Sequence, residues 1–174
     1  VNLNSDDIWE RMDKELLKEH SEGLIGLSAC LNGEITSLHL KGKDLEAQSV
    51  AEEHLEIFGK DNFYIEIQRH GMKEDHAYEK NLKLAKHMGL KYVATNDVHY
   101  TRKNHWNSHD ILICLQSNHF RSDEKRMRYE KEEFYLRSPK EMRKLFEDLP
   151  EACDATLEIA ERCNLKLNFD SYHL

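Results

Sequence analysis

Between positions 23 and 115 the sequence switches repeatedly between two hydrophobic periods, and that switching restricts the fold more than any other feature. A short apolar run, GLIGLSAC at 23–30, suits a buried strand. Positions 44–58 then place Ala47, Ala51, Leu55 and Phe58 at helical spacing. Positions 62–68 return to a strand pattern rich in the β-favouring residues Phe63, Tyr64, Ile65 and Ile67. Positions 74–88 form a second amphipathic helix, with Tyr78, Leu82, Ala85 and Met88 on one face and Gly89 as its stop. A third strand runs from Lys91 toward His99, and a helix is expected over 105–115. Strands alternating with helices imply parallel pairing through helical crossovers, so the expected class is α/β. Near-continuous apolar strands further imply a sheet covered on both faces.

In such sheets functional groups collect where strands end at their C-terminal edge. The run KYVATNDVHY at 91–100 places Asp97 and His99 there, two positions apart. If the strand continues through them, both side chains point the same way and Val98 points the other. A carboxylate and an imidazole side by side supply a hard oxygen and a neutral nitrogen to a divalent metal. Alternatively Asp97 caps the following helix and His99 bonds locally. Cys30 ends the first strand at the matching edge, so Cys30, Asp97 and His99 form a thiolate, carboxylate and imidazole set suited to zinc or another divalent transition ion. A buried apolar thiol is the plainer account of Cys30.

Other candidates are weaker. His70 follows the second strand and is read mainly as polar surface, while Glu66 inside that strand is either inward-facing or a paired structural carboxylate. His105 and His109 share a helical face but lack the intervening glutamate of metalloproteases, and are not taken as a site. No nucleophile elbow, phosphate-cradling glycine loop or dinucleotide fingerprint occurs in the sequence.

A net charge of −8 argues against a surface devoted to nucleic acid, and the basic stretch from Arg121 to Arg128 reads as a solvated loop. The four cysteines form no C-x-x-C pair; with no signal-peptide pattern at the start they are expected to be reduced thiols in a cytoplasm. Cys114, Cys153 and Cys163 fit helical patterns as small core residues. No apolar run is long enough to span a membrane, and the missing initiator Met suggests a piece of a longer chain. In the last third, Phe134 to Arg137 is strand-like, Ser138, Pro139 and Glu141 open a helix through a capping box, and a second helix from Pro150 is expected to bury Cys153, Thr156, Ile159, Ala160 and Cys163.

Several runs together resemble one family. GLIGLSACLNGEI at 23–35, VATNDVHY at 93–100, HDILICLQ at 109–116, MRY at 127–129, EFYLR at 133–137 with Ser138, Pro139 and Met142, DLPEA at 148–152 and TLEIAERCN at 156–164 occur in order. They are similar to segments of the bacterial DNA polymerase III alpha subunit, in the later part of its N-terminal PHP (polymerase and histidinol phosphatase) domain. The resemblance implies the C-terminal portion of a distorted (β/α)7 barrel. That portion would occupy residues 1–164, with helices from about 138 leading toward a polymerase palm and residues 165–174 starting the connection. It also implies that Cys30, Asp97 and His99 align with metal-ligand positions. The family's early H-x-H ligands have no counterpart in the chain. The magnesium-binding aspartates of the polymerase site would lie beyond Leu174.

From the resemblance, the parent is expected to be a DNA-directed DNA polymerase that binds primer–template DNA, deoxynucleotides, a proofreading exonuclease subunit and a sliding clamp, without membrane contact. This segment would be scaffold contributing a partial site for metal-dependent 3′–5′ exonuclease or phosphoesterase chemistry. A non-catalytic platform for the proofreading subunit is the alternative, and a free-standing PHP phosphoesterase a third. The isolated segment is expected to lack polymerase activity, to bind metal weakly, and to fold poorly because a barrel short of strands exposes an unpaired edge.

Overall fold

A computed structural model describes residues 12–167 and residue 169. After the short helix α1 (Lys14–Glu19) the chain runs β1 (Gly26–Leu27), α2 (Glu34–Leu40), α3 (Asp44–Phe58), β2 (Phe63–Ile67), α4 (His76–Met88), β3 (Lys91–Ala94), α5 (Trp106–Ser117), α6 (Pro139–Leu145) and α7 (Pro150–Arg162). Single 3-10 turns, Lys73–Asp75 and Lys103–His105, lead into α4 and α5. The described strands form one parallel sheet in the order β1-β2-β3, with Gly26 opposite Phe63 and Tyr64 opposite Lys91. The expected α/β class holds, and the sheet among the described residues is three strands wide.

β2 is central, and every one of its residues is buried. Strand alternation puts Phe63, Ile65 and Ile67 on one face, where they share a core with Ile35, Ala47, Ala51, Tyr78 and Ala85 from α2, α3 and α4. Tyr64 points to the other face and packs with Val93 and with Ala155 and Ile159 of α7. Helices therefore cover both faces, which is why the strands carry almost no polar positions. Polar pairs tie α7 down at the strand entry: the Tyr64 hydroxyl donates to Glu158 and accepts from Arg162, and Lys91 pairs with Glu158 at 2.6 Å. At the exit of β2, Arg69 makes a forked pair with Asp148 and lies 4.8 Å over the Phe146 ring.

The helices follow their sequence signals closely. α3 has the bounds its periodicity predicts, and α4 ends at Gly89, whose φ of 64° is the left-handed stop that a side chain disfavours. The Ser138–Glu141 capping box forms, with Pro139 in the first turn. Asn81, inside α4, is fully buried and donates to the Thr36 hydroxyl and the Glu66 carbonyl, joining two helices to the central strand.

Several expectations need correction. The first apolar run pairs only at Gly26–Leu27, because the following residues turn away: Ala29 sits at φ 64°. The third strand stops at Ala94 instead of running to His99. Residues 134–137 contribute one parallel bridge, Tyr100 to Tyr135, and no strand. The buried stripe of α7 runs through Ala152, Cys153, Ala155 and the half-buried Ile159, so Thr156, Ala160 and Cys163 are exposed. Cys163 is thus no core residue, whereas Cys114 and Cys153 are buried as expected. The basic stretch is not simply solvated either: Arg126, with its side chain 5% exposed, forms a forked pair with Asp110, which Arg121 also contacts. Helix α2 was not signalled, being only 7 residues long with a glycine for its N-cap.

Candidate metal centre

The three predicted ligands and His70 line one cavity of about 470 Å³ at the C-terminal edge of the sheet, together with Tyr78 and Tyr129. Two turns build it. After β1 the backbone bends through Ala29 to Cys30, and the Ala29 N–H donates to the Glu66 carboxylate at 2.9 Å. Gly33 then donates its N–H to the Cys30 carbonyl at 2.9 Å and closes the loop. Glu66 also accepts from Thr95, just beyond β3, and from Gln68, whose own oxygen takes the Tyr78 hydroxyl at 2.6 Å. The buried carboxylate thus ties the exits of two strands together. This is the structural role considered for it, and its hydrogen bonds offset the cost of burying the charge. Burial pushes the Tyr78 hydroxyl far above its usual pKa, so it stays a donor.

The second turn carries Asp97 and His99. Asp97 adopts φ 43°, in the left-handed region. Its Oδ2 lies 3.7 Å from His99 Nε2. The two side chains do face one another, but a turn sets them so and not strand alternation. The alternative for Asp97 is not realised: α5 begins after a 3-10 turn, with His105 at its N-cap and no side-chain cap bond. His99 donates its backbone N–H to the Phe134 carbonyl at 2.8 Å, and its ring stacks between Phe134 and His109 at 5.6 and 5.4 Å. His109, set aside with His105 as a ligand pair, therefore backs the His99 ring without lining the cavity itself. Burial first and the neighbouring His99 second hold its pKa below the usual value.

Tyr129 was not singled out. Its hydroxyl bonds His99 Nε2, and its ring meets both His99 and Phe134 edge-on. Burial, then Asp97 and Cys30, push the phenol pKa up, so it remains protonated and able to donate. In the tautomer with its proton on Nδ1, His99 accepts this bond at Nε2, and that nitrogen is the one a metal ion would take. Removing the competing donor frees that nitrogen, so Tyr129→Phe is expected to tighten zinc binding about fivefold, the worth of one ordinary hydrogen bond. Competition against a chromophoric chelator measures this, and an unchanged or weaker affinity contradicts it.

The donor set fits a divalent transition ion in chemistry and, for one pair, in spacing. Two ligands of one tetrahedral zinc lie roughly 3.3–3.5 Å apart, close to the 3.7 Å between Asp97 and His99. Cys30 lines the same cavity. Yet among the described residues no three His, Cys, Asp or Glu side chains are clustered tightly enough to form a metal-holding group. The arrangement is a facing carboxylate–imidazole pair in a cavity whose wall also holds the Cys30 thiol.

His70, read from sequence mainly as polar surface, is buried. Its Nε2 is 3.2 Å from the Asn96 carbonyl, and its ring stacks on Phe134 at 4.2 Å. Desolvation holds its pKa below the ordinary 6.5; the bond to the Asn96 carbonyl, then Asp75 and Asp97, pull it up and Arg137 pushes it down. A histidine held neutral in the fold protonates first in the unfolded chain. Its contribution to stability is therefore complete above about pH 6.5 and is lost progressively below it. The urea midpoint of the wild type should fall between pH 7 and pH 5 more steeply than that of His70→Gln; superimposable pH profiles rule this out.

Comparison with known proteins places the chain. Residues 2–70 match the PHP domain family. The chain is 42% identical over 158 residues to the DNA polymerase III subunit alpha of Treponema pallidum, covering 90% of this chain and 14% of that protein. It is 42% identical over 173 residues to the Helicobacter pylori protein of the same name, covering 92% of this chain and 14% of the relative. With the Thermus aquaticus protein of that name it shares 43% identity over 164 residues, 90% of this chain and 13% of the relative. The chain thus spans about one seventh of the length of the curated relatives it matches. Among the described residues, no helix is long and apolar enough to cross a membrane.

Proposed function

This chain belongs to the DNA polymerase III alpha subunit family, of which it carries a PHP-domain segment, and on that premise we propose that it is part of a replicative DNA polymerase and supplies half of a metal site for phosphodiester hydrolysis. Its three parallel strands would be one arc of a (β/α)7 barrel, with residues 1–164 in the PHP domain and 165–174 beginning the connection to the palm. The observation that carries the reading is that Cys30, Asp97 and His99 line one cavity, with Asp97 and His99 facing each other at 3.7 Å.

Asp97 and His99 would bind zinc or another divalent transition ion, with Cys30 as a third ligand. Such an ion, when bound, polarises a phosphoryl oxygen and makes bound water acidic. The chain's own groups do the rest. Glu66 holds the Cys30 turn against the exit of β3. Phe134 and His109 fix the plane of the His99 ring. Tyr129 lines the cavity and holds His99 through its hydroxyl. Template-directed synthesis itself would use magnesium bound outside this chain, with primer–template DNA, deoxynucleotides and a sliding clamp as partners of the parent, in the cytoplasm.

A second reading makes the domain a docking platform for a proofreading exonuclease subunit. The exposed Leu112 and Leu115 on α5 favour it, since an apolar helix face suits a partner better than water. One experiment separates the two. In the full-length polypeptide, Cys30→Ser, Asp97→Asn and His99→Asn are assayed for 3′–5′ hydrolysis of single-stranded DNA, for primer extension and for binding of the exonuclease subunit. Lost hydrolysis with extension and subunit binding intact supports the catalytic site. Lost subunit binding supports the platform, and a wild type that extends no primer refutes the family-level function.

A further inference from the structure

The Asp97–His99 pair exists only because the chain leaves β3 through a left-handed residue, and the groups holding that turn belong to another strand and a distant loop. A non-glycine residue at φ 43° is uncommon, costs about 1 kcal/mol or more, and persists where its surroundings over-determine it. Asn96, directly before it and 5% exposed, is the hub. Its amide donates to the Glu133 and Tyr135 carbonyls at 2.8 and 2.7 Å, and its oxygen accepts from Arg137 at 3.1 Å. These contacts fix the Asn96 side chain and leave its carbonyl, the last group before Asp97, to be set from elsewhere. His70 Nε2 meets that carbonyl at 3.2 Å.

His70 is itself rigidly placed. Its N–H and that of Gly71 both donate to Asp75 Oδ2, at 2.9 and 2.8 Å. Its ring stacks on Phe134, whose carbonyl receives the His99 N–H at 2.8 Å. One imidazole therefore touches the turn on both sides, at the carbonyl before Asp97 and at the residue that anchors His99. A carbonyl only accepts, so the proton is on Nε2. Nδ1 is left buried with no partner among the described residues. A residue chosen only to fill the space would not carry that unpaired nitrogen, since each such buried group costs stability and calls for a reason.

We propose that His70 is a positioning residue for the metal pair: its Nε2–H pins the Asn96 carbonyl and thereby holds Asp97 and His99 in the geometry that receives a cation. The proposal deepens the metal-site reading and rests on it for its consequence, not for the geometry. Partners one step removed from a metal typically shift its affinity by 10- to 100-fold when removed.

The test uses the full chain and zinc alone, with three variants. His70→Gln places an amide N–H near the position of Nε2. His70→Asn is too short to reach the carbonyl, and His70→Ala removes the donor. Zinc affinity should fall about tenfold in His70→Ala and His70→Asn and recover to within about twofold of wild type in His70→Gln. Independently of any metal, the Asp97 Cα and Cβ chemical shifts should move away from left-handed values in the Ala and Asn variants and return in Gln. Wild-type shifts in all three variants overturn the proposal, as does full zinc affinity in His70→Ala. If wild type binds no zinc, the metal reading fails while the chemical shifts still decide the positioning role. If His70→Ala does not fold, the Gln and Asn pair gives the same comparison.

Discussion

Replacing Asp97 and His99 together by alanine should weaken binding of zinc to the chain by at least about a hundredfold while leaving the fold intact. Removing even a group one step from a metal costs up to that factor, and on the proposed reading two of its direct ligands are lost. The side chains are 26% and 28% exposed, and the His99 ring packs on Phe134 and Tyr129, so the far-ultraviolet circular dichroism should keep its form while the urea midpoint falls by the equivalent of about 1–2 kcal/mol. Chelator competition on the double variant reads the affinity. Retained affinity would mean that zinc binds elsewhere and that the pair is structural. The variant also discriminates between the two roles weighed for the domain, because the exposed Leu112 and Leu115 of α5 do not line the cavity of the pair, so subunit binding through them should persist.

Gly33→Ala should be the most damaging single methyl in the site. A Cβ there would come within 2.4 Å of the Ser28 carbonyl oxygen and 3.1 Å of the Cys30 carbonyl, both backbone atoms that cannot rotate away. Gly33 has an ordinary φ of −62°, so the penalty is steric and not conformational. Overpacking of this kind costs about 2–3 kcal/mol, equivalent to roughly 5–10 °C in Tm for a chain of this size. The relief must come from moving the 28–33 loop, which also carries Cys30. Zinc binding should therefore weaken along with stability. A Tm within about 2 °C of wild type would show that the loop yields freely. Reduced stability with full zinc affinity would show that Cys30 is no ligand.

The contrast between what the sequence revealed and what it hid has a physical basis. Regular elements announce themselves through repetition: α3 carries four helical turns of apolar positions, β2 is aromatic or β-branched at every position but Glu66, and Gly89 is a stop whose geometry only a few residues adopt easily. The metal pair was legible as a composition, a carboxylate and an imidazole two positions apart. Its geometry was not, because the same spacing serves a strand or a turn, and only the tertiary bonds of Asn96 decide between them. His70 was misjudged for the same reason. A loop histidine is usually wet, and nothing local to RHG at 69–71 signals that Phe134, more than sixty positions later, will cover its ring. Tyr129 and Arg126 lie in a stretch without periodicity, so their contacts with His99 and Asp110 left no trace in the pattern. The reach of the sheet beyond three strands comes from the family resemblance alone.

The central position of β2 also governs how the chain can assemble. Its two partners are both parallel to it, so no tight hairpin can start the sheet. Phe63 must find Gly26 across α2 and α3, and Tyr64 must find Lys91 across α4. Each pairing waits on a crossover helix that is only marginally stable before it docks. The helices and strands must therefore condense together around Phe63, Ile65 and Ile67, with loop closure slowing the search. The two turns that build the cavity hang from the strand exits that this condensation creates. They can form only once it is complete, so a metal added to the unfolded chain should find its pair last.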